Sequence, residues 1–116
     1  MIDFKQTLKL FETEFGFEFL KKTRKREYVE ARATFIYYLY KYKKIGLSNI
    51  SRLIYRNTGW KINHATVFHS IKLWDMYSKY NPQLDTVLKR IIGQFDNDND
   101  KIEYIKNTVS RLSSGK

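Results

Sequence analysis

Apolar side chains recur along this chain at steps of three and four residues, the spacing that places them on one face of an α-helix. The first such set consists of Phe4, Leu8, Phe11 and Phe15. It predicts an amphipathic helix over residues 3–15, and Gly16 is the type of residue that commonly ends one. No strand pattern and no internal repeat stands out along the sequence. The pattern therefore predicts an all-helical protein.

A long second helix is predicted from Glu27 to about Lys44, with Gly46 at its end. Its inner face is expected to carry Val29, Ala33, Ile36 and Tyr40, with Phe35 and Leu39 beside them. Its basic residues Arg32, Lys41, Lys43 and Lys44 are expected to point away from that face. The dense aromatic residues of this stretch are Phe35, Tyr37, Tyr38, Tyr40 and Tyr42. Their helical spacing favours a place in the core, and stacking on unpaired bases is the alternative.

Two shorter helical patterns follow, one from Leu47 to about Asn57 and one from near Asn63 to about Lys79. The first pattern has its apolar residues at Leu47, Ile50, Leu53 and Ile54, and the second has them at Val67, Ile71 and Trp74. Arg52 and Arg56 lie four apart on one face of the first, where both could contact phosphate. Trp60, in the turn between the two helices, is expected to cover the small core. Two consecutive short helices, of which the second begins with small polar side chains, are typical of a helix-turn-helix.

The C-terminal part of the sequence predicts two more helices, within residues 82–113. Asn81 and Pro82 suit the N-cap and first position of one, and its inner residues are Leu84, Val87, Leu88 and Ile91. Residues 96–100 are all Asp or Asn and predict a loop, but the glutamate of a calcium-binding EF-hand loop does not follow at the required distance. Ile102, Ile105, Val109 and Leu112 predict a last helix. We therefore expect a monomer of about six helices in one domain, with Val29, Ile36, Leu53, Val67, Ile71 and Trp74 in its core.

The charge of the chain is concentrated in one segment. Residues 21–61 hold 12 basic and 2 acidic side chains, which accounts for the net charge of +10 of the whole protein. Such a patch indicates an anionic partner. The chain has no Cys and only two His residues, so neither a disulfide framework nor a metal site or other cofactor is expected. The sequence shows no secretion signal and no apolar run near the ~20 residues that span a bilayer, so we expect a cytoplasmic protein that does not enter membranes.

The stretches Arg24 to Arg32 and Asn63 to His69, with Leu47 and Ile50, resemble the C-terminal DNA-binding domain of the bacterial replication initiator DnaA. The resemblance covers residues 3–77, and the family signature, approximately Gly-Gly-Arg-Asp-His-Thr-Thr-Val-Leu-His-Ala, maps in order onto residues 60–70. The resemblance implies a helix-turn-helix bundle similar to the Trp repressor. It also implies a double-stranded DNA partner, with sites similar to DnaA boxes.

The resemblance further implies which side chains contact DNA. Base contacts fall on Asn63, His64 and Ala65 in the major groove and on Arg24 in the adjacent minor groove. Phosphate contacts fall on Arg26, Arg32, Thr66 and His69, and the same role is expected of Lys43, Lys44 and Lys61. Each assignment has a structural alternative. Asn63 would serve only as an N-cap, Arg32 would pair with Glu27 or Glu30, and His69 would be half-buried.

The sequence also departs from the family pattern at its centre. Ile62 stands where the family has arginine, Asn63 replaces aspartate, Ala65 replaces threonine, and about five extra residues around Arg56 to Gly59 are expected to lengthen the turn. No nucleotide-binding Gly-x-x-x-x-Gly-Lys-Ser/Thr motif occurs, so the initiator's ATPase function is not implied.

These observations predict a bacterial or phage-encoded protein that binds DNA on its own and regulates replication or transcription. An enzyme is not expected, because no carboxylate pair, Ser-His-Asp set or metal cluster converges on the tip of the fourth helix. The alternative is an adaptor whose basic face binds a protein of the replication machinery.

Overall fold

The computed structural model describes residues 3–93, which form five α-helices and contain no strand. The helices are α1 (Phe4–Phe15), α2 (Arg26–Lys41), α3 (Leu47–Thr58), α4 (His64–Tyr80) and α5 (residues 83–93). The all-helical prediction is confirmed over this range, where no helix is long and apolar enough to cross a membrane. The predicted loop at residues 96–100 and the predicted last helix lie outside the described residues.

The bounds of α1 follow from its two caps. The Asp3 carboxylate accepts a hydrogen bond from the backbone N–H of Gln6 at 3.1 Å, which satisfies one of the free donors at the start of the helix. Gly16 ends the helix in the left-handed conformation at φ 89°, and its N–H donates to the Glu12 carbonyl. The rings of Phe4 and Phe11 lie 5.4 Å and 5.2 Å from that of Phe35, so the apolar face of α1 packs on α2.

The central element of the fold is α2, because α1, α3 and α4 all pack against it. Six of its apolar side chains have no exposed surface: Ala31, Ala33, Phe35, Ile36, Tyr38 and Leu39. Trp74 of α4 stacks on Tyr37 with ring centroids 4.2 Å apart and donates its indole N–H to Thr34 Oγ1 at 3.0 Å. This pairing fixes how α4 crosses α2.

The predicted end of α2 and the predicted direction of Tyr40 were wrong. The helix ends at Lys41 and not near Lys44, because Lys44 adopts a left-handed conformation at φ 59° and the Ile45 N–H turns back to the Leu39 carbonyl. Gly46, predicted to end α2, is instead the extended residue before α3. Tyr40 was predicted to face inward but is 43% exposed. Because helices pack around several sides of α2, a single apolar stripe does not describe its buried surface.

The predicted core is confirmed in part. Ile36, Val67 and Trp74 are buried, while Leu53 and Ile71 are half-buried and pack against the core. Val29 is half-buried and faces a groove at the edge of the core, so its prediction as a core residue was wrong.

The fifth helix behaves as its sequence predicts. Its four predicted inner residues, Leu84, Val87, Leu88 and Ile91, are all buried. Asn81 Oδ1 accepts a hydrogen bond from the Gln83 N–H at 3.3 Å, as expected of a residue that caps the helix start. An ion pair of 3.3 Å between Arg90 and Glu14 connects α5 to α1.

Candidate nucleic-acid interface

A cleft of about 780 Å³ lies between the leader segment, residues 21–25, and the start of α4. Its lining residues are Lys22, Thr23, Arg24, Arg32, Gly59, Trp60, Lys61, Asn63 and Thr66. Four of them carry positive charge and none is a carboxylate. The cleft therefore brings together cationic residues that precede α2 and polar residues at the tip of α4, although the two groups are far apart in the sequence.

The cleft is held in shape by Arg32, which was predicted to point outward. That prediction was wrong, since Arg32 is only 8% exposed. Its Nη1 donates to the Lys21 carbonyl at 2.6 Å, and its guanidinium lies 5.1 Å from the centre of the Trp60 ring. One side chain of α2 thus holds both the leader segment and the α3–α4 link, residues 59–63.

The burial of Arg32 has an electrostatic consequence. Removal from water lowers the pKa of its guanidinium below the ordinary value, and a smaller effect of Tyr77 opposes this shift. An arginine nevertheless stays charged at neutral pH. Arg32 therefore adds a fixed positive charge to the wall of the cleft. The alternative that Arg32 pairs with Glu27 or Glu30 does not explain its position, because its hydrogen bond goes to the Lys21 carbonyl.

The tip of α4 is anchored on the inside and exposed on the outside. Ile62 and Val67 are buried on either side of it, so both side chains anchor the tip to the core. Asn63 caps the helix, since its Oδ1 accepts a hydrogen bond from the Ala65 N–H at 2.7 Å. The exposed residues of the tip are Asn63, His64, Ala65 and Thr66. This arrangement presents polar side chains on a rigid helix end.

Arg24 lies where the cleft meets a second groove, of about 310 Å³, between α2 and α4. The second groove is lined by Arg24, Arg26, Val29, Glu30, Met76, Tyr77 and Tyr80. The Arg26 guanidinium already uses one of its hydrogen-bond donors within the protein, because its Nε donates to the Glu30 carboxylate at 3.0 Å. The other oxygen of this carboxylate accepts from Asn81 Nδ2 at 3.0 Å, which ties the start of α2 to the end of α4. Arg24 is exposed, as a contact to DNA would require.

The remaining predicted phosphate contacts do not line the cleft. Lys43 and Lys44 lie in the turn between α2 and α3, and the Lys43 ammonium is 5.7 Å from the centre of the Tyr38 ring. His69 lies on α4 beyond Thr66 and is exposed, so the alternative of a half-buried histidine was wrong. The predicted contacts are therefore divided between the cleft, the second groove, the α2–α3 turn and the outer surface of α4.

The sequence-based assignment missed four residues of the cleft: Lys22, Thr23, Gly59 and Trp60. The basic run at residues 21–26 was the available signal for the first two. The extra residues near Arg56 were expected to lengthen a turn, but they continue α3 to Thr58. The Asn57 and Thr58 side chains donate to carbonyls one turn back, at 2.7 Å each, and so satisfy their polar groups within the helix.

The cleft combines fixed positive charge with hydrogen-bond donors and acceptors, which suits binding of a phosphodiester backbone and contact with base edges. Among the described residues there is no group of three potential metal ligands. Comparison of the chain with protein-family models, with curated proteins and with solved structures gave no match.

Proposed function

We propose that this protein binds double-stranded DNA with sequence specificity through a helix-turn-helix formed by α3, the α3–α4 link and α4. The observation that carries the proposal is the cleft that joins the leader segment to the exposed tip of α4. A major groove of ~12 Å admits an α-helix, and a helix that enters it end-on contacts bases with its first residues. Those residues are the exposed ones in this protein.

Each part of the cleft has a role in this proposal. Lys61 and Thr66 bind phosphates and fix the position of the helix on the duplex, without reading sequence themselves. Asn63 and His64 contact base edges, and Ala65 offers a methyl group to the methyl of thymine. Arg24 enters the neighbouring minor groove, where the negative potential of a narrow groove attracts an arginine. Arg32 acts on the DNA mainly by holding the leader segment in place.

We further propose that the protein is similar in fold and target to the C-terminal DNA-binding domain of DnaA, with a Trp repressor-like helix arrangement. A basic segment followed by the central helix α2, the shorter helix α3 and then α4, in this order, supports the proposal. The targets would be sites similar to DnaA boxes. Bound there, the protein would regulate replication or transcription in the cytoplasm of a bacterium.

Selection of bound fragments from random duplex DNA tests the proposed function. We expect an enriched motif with a defined core at moderate salt. The matched control is the same selection with Asn63→Ala and His64→Ala combined, which keeps the phosphate contacts and should return duplexes without that motif. Recovery of unenriched sequence by the unmodified protein would contradict sequence-specific binding.

A protein partner is the second candidate, and the groove between α2 and α4 favours it. Met76 and Tyr80 are 44% and 75% exposed there, next to Arg24 and Arg26. An acidic segment with an apolar side chain would suit this surface. The selection experiment separates the two candidates, because an adaptor that does not bind DNA would enrich no motif.

A further inference from the structure

The outward side of α3 carries a stripe of exposed residues that have no part in the base and phosphate contacts proposed above. Ser48, Arg52, Tyr55 and Gly59 recur at steps of four, three and four residues, which places them on one side of the helix. All four are exposed, with Arg56 exposed beside them. The opposite side carries Ile50 and Ile54, which have no exposed surface. We call the outward set, with Arg56, the α3 stripe.

The α3 stripe has positive charge without acidic residues nearby in the sequence. No Asp or Glu occurs between Glu30 and Asp75, a segment that contains eight Lys and Arg residues. In α5, by contrast, Lys89 forms an ion pair with Asp85 at 2.8 Å. Arg52 and Arg56 also repel each other at their spacing of four residues. A helix with this composition is suited to an anionic partner.

The α3 stripe is continuous with the cleft. Gly59, at the end of the stripe, is one of the residues that line the cleft. Lys61 lines the cleft as well, and its ammonium lies 5.9 Å from the centre of the exposed Tyr55 ring. At 1.5 Å per residue, the stripe extends the basic surface by roughly 17 Å from the cleft. The sugar-phosphate backbone of one DNA duplex can therefore contact both the cleft and the α3 stripe.

We infer that the α3 stripe is a second binding site for the DNA sugar-phosphate backbone, next to the groove that α4 enters. This inference rests on the proposed function. Ser48, Arg52, Tyr55 and Arg56 all donate hydrogen bonds through their side chains, and these are residue types that contact phosphates in protein–DNA complexes. Arginine can also bind phosphate with two parallel hydrogen bonds. The stripe strengthens binding to every duplex and leaves the choice of sequence to the tip of α4.

The test compares two double variants of the full chain that each remove two positive charges four residues apart on an exposed helix. Arg52→Gln with Arg56→Gln alters the α3 stripe. Lys5→Gln with Lys9→Gln alters α1, where both lysines are exposed and neither lines the cleft. Dissociation constants are measured on one selected duplex and one unrelated duplex between 0.1 and roughly 0.4 M salt, since each phosphate contact contributes about 0.9 to the slope of log affinity against log salt.

We expect the α3 variant to lose about two units of that slope and to bind both duplexes on the order of 10- to 60-fold more weakly at 0.1 M salt. Phosphate-ethylation interference should show fewer contacted phosphates on one side of the site, while the selected motif stays the same. The α1 variant should behave like the unmodified protein. Arg52→Lys with Arg56→Lys should keep most of the slope, because it keeps the charge.

An α3 variant that melts like the unmodified protein but keeps its salt slope and its ethylation pattern would overturn the inference. That result would leave the proposed function intact, since α4 would still select its motif. Duplex binding without an enriched motif, accompanied by the expected loss of slope, would overturn sequence-specific reading and support the stripe. The two failures are therefore distinguishable.

Discussion

The Asn63 side chain at the tip of α4 has an amide oxygen and an amide nitrogen. Its role as a cap uses only one acceptor position of the oxygen. Its Oδ1 accepts the hydrogen bond of the Ala65 N–H, but an amide oxygen has two acceptor positions and the amide nitrogen has two donors. Adenine requires one donor and one acceptor from such a side chain. The same residue can therefore cap the helix and read adenine at the same time.

Substitution of Asn63 separates these roles. Asp and Ser both keep a good N-cap, so neither Asn63→Asp nor Asn63→Ser should lower the melting temperature much. Asn63→Asp can only accept, so the preferred base should change from adenine toward cytosine, by ~1–3 kcal/mol. Asn63→Ser should flatten the preference. Dissociation constants on four duplexes that differ at this base pair measure the effect.

Asn63→Ala is the control for the cap and should cost ~1 kcal/mol of folding stability. If Asn63→Asp and Asn63→Ser both leave the base preference unchanged, Asn63 is a cap alone. Base reading would then belong to His64 or Lys61.

Arg32 shows why single residues of the site were the hardest to predict. Its sequence context is that of a charged residue on a helix surface, and helical periodicity was the only guide to its direction. Its actual partners are the Lys21 carbonyl and the Trp60 ring, which come from segments before and after α2. Contacts between such distant segments leave no periodic pattern. Asn63 was predictable as a cap because its partner lies two residues away.

Helix ends that have a common capping residue were predicted well. The C-terminal end of α2 has no such residue and was predicted wrongly. Asp3, Gly16 and Asn63 are residue types that favour helix ends, and α1 and α4 begin or end beside them. Lys44 is a residue type that rarely adopts positive φ, so no residue pattern indicated that α2 would stop before it. Gly46 is a residue type that commonly ends a helix, but here it is the N-cap residue of α3.

The left-handed conformation of Lys44 leads to a prediction in which stability and DNA affinity change in opposite directions. Gly adopts this conformation without strain, whereas a residue with a Cβ pays roughly 1–2 kcal/mol. Lys44→Gly should therefore stabilise the fold by about 0.5 kcal/mol after the greater freedom of glycine in the unfolded chain is subtracted. Because a proposed phosphate contact is lost, the slope of log affinity against log salt should fall by about one unit.

Lys44→Ala is the matched control, since it removes the same charge and keeps the strain. The two variants should bind duplex DNA equally and differ by about 0.5 kcal/mol in the free energy of unfolding, measured by urea denaturation. Unchanged affinity in both would remove Lys44 from the proposed contacts. Equal stability in both would show that the turn relaxes without strain.

At the scale of the whole molecule, the aromatic residues of α2 and of the turn after it divide between the core and the surface. Phe35 and Tyr38 have no exposed surface and pack with the rings of α1, as the helical spacing predicted. Tyr40 and Tyr42 are 43% and 45% exposed. The alternative of stacking on unpaired bases therefore depends on these two rings, while the basic surface of the cleft and the α3 stripe suits a duplex.

Salt dependence and strand preference distinguish duplex binding by the basic surface from stacking of unpaired bases on the two exposed tyrosines. Contacts to about 6 phosphates should give a slope of roughly −5 for log affinity against log salt on duplex DNA. Single strands of the same sequence should bind more weakly, because they offer neither groove to α4 and Arg24.

Tyr40→Leu with Tyr42→Leu should change duplex affinity little, since it removes the stacking surface and no charge. If single strands bind more tightly and this double variant abolishes the difference, stacking on these two tyrosines is the main binding mode. A flat salt dependence would exclude the basic surface as a site for nucleic acid.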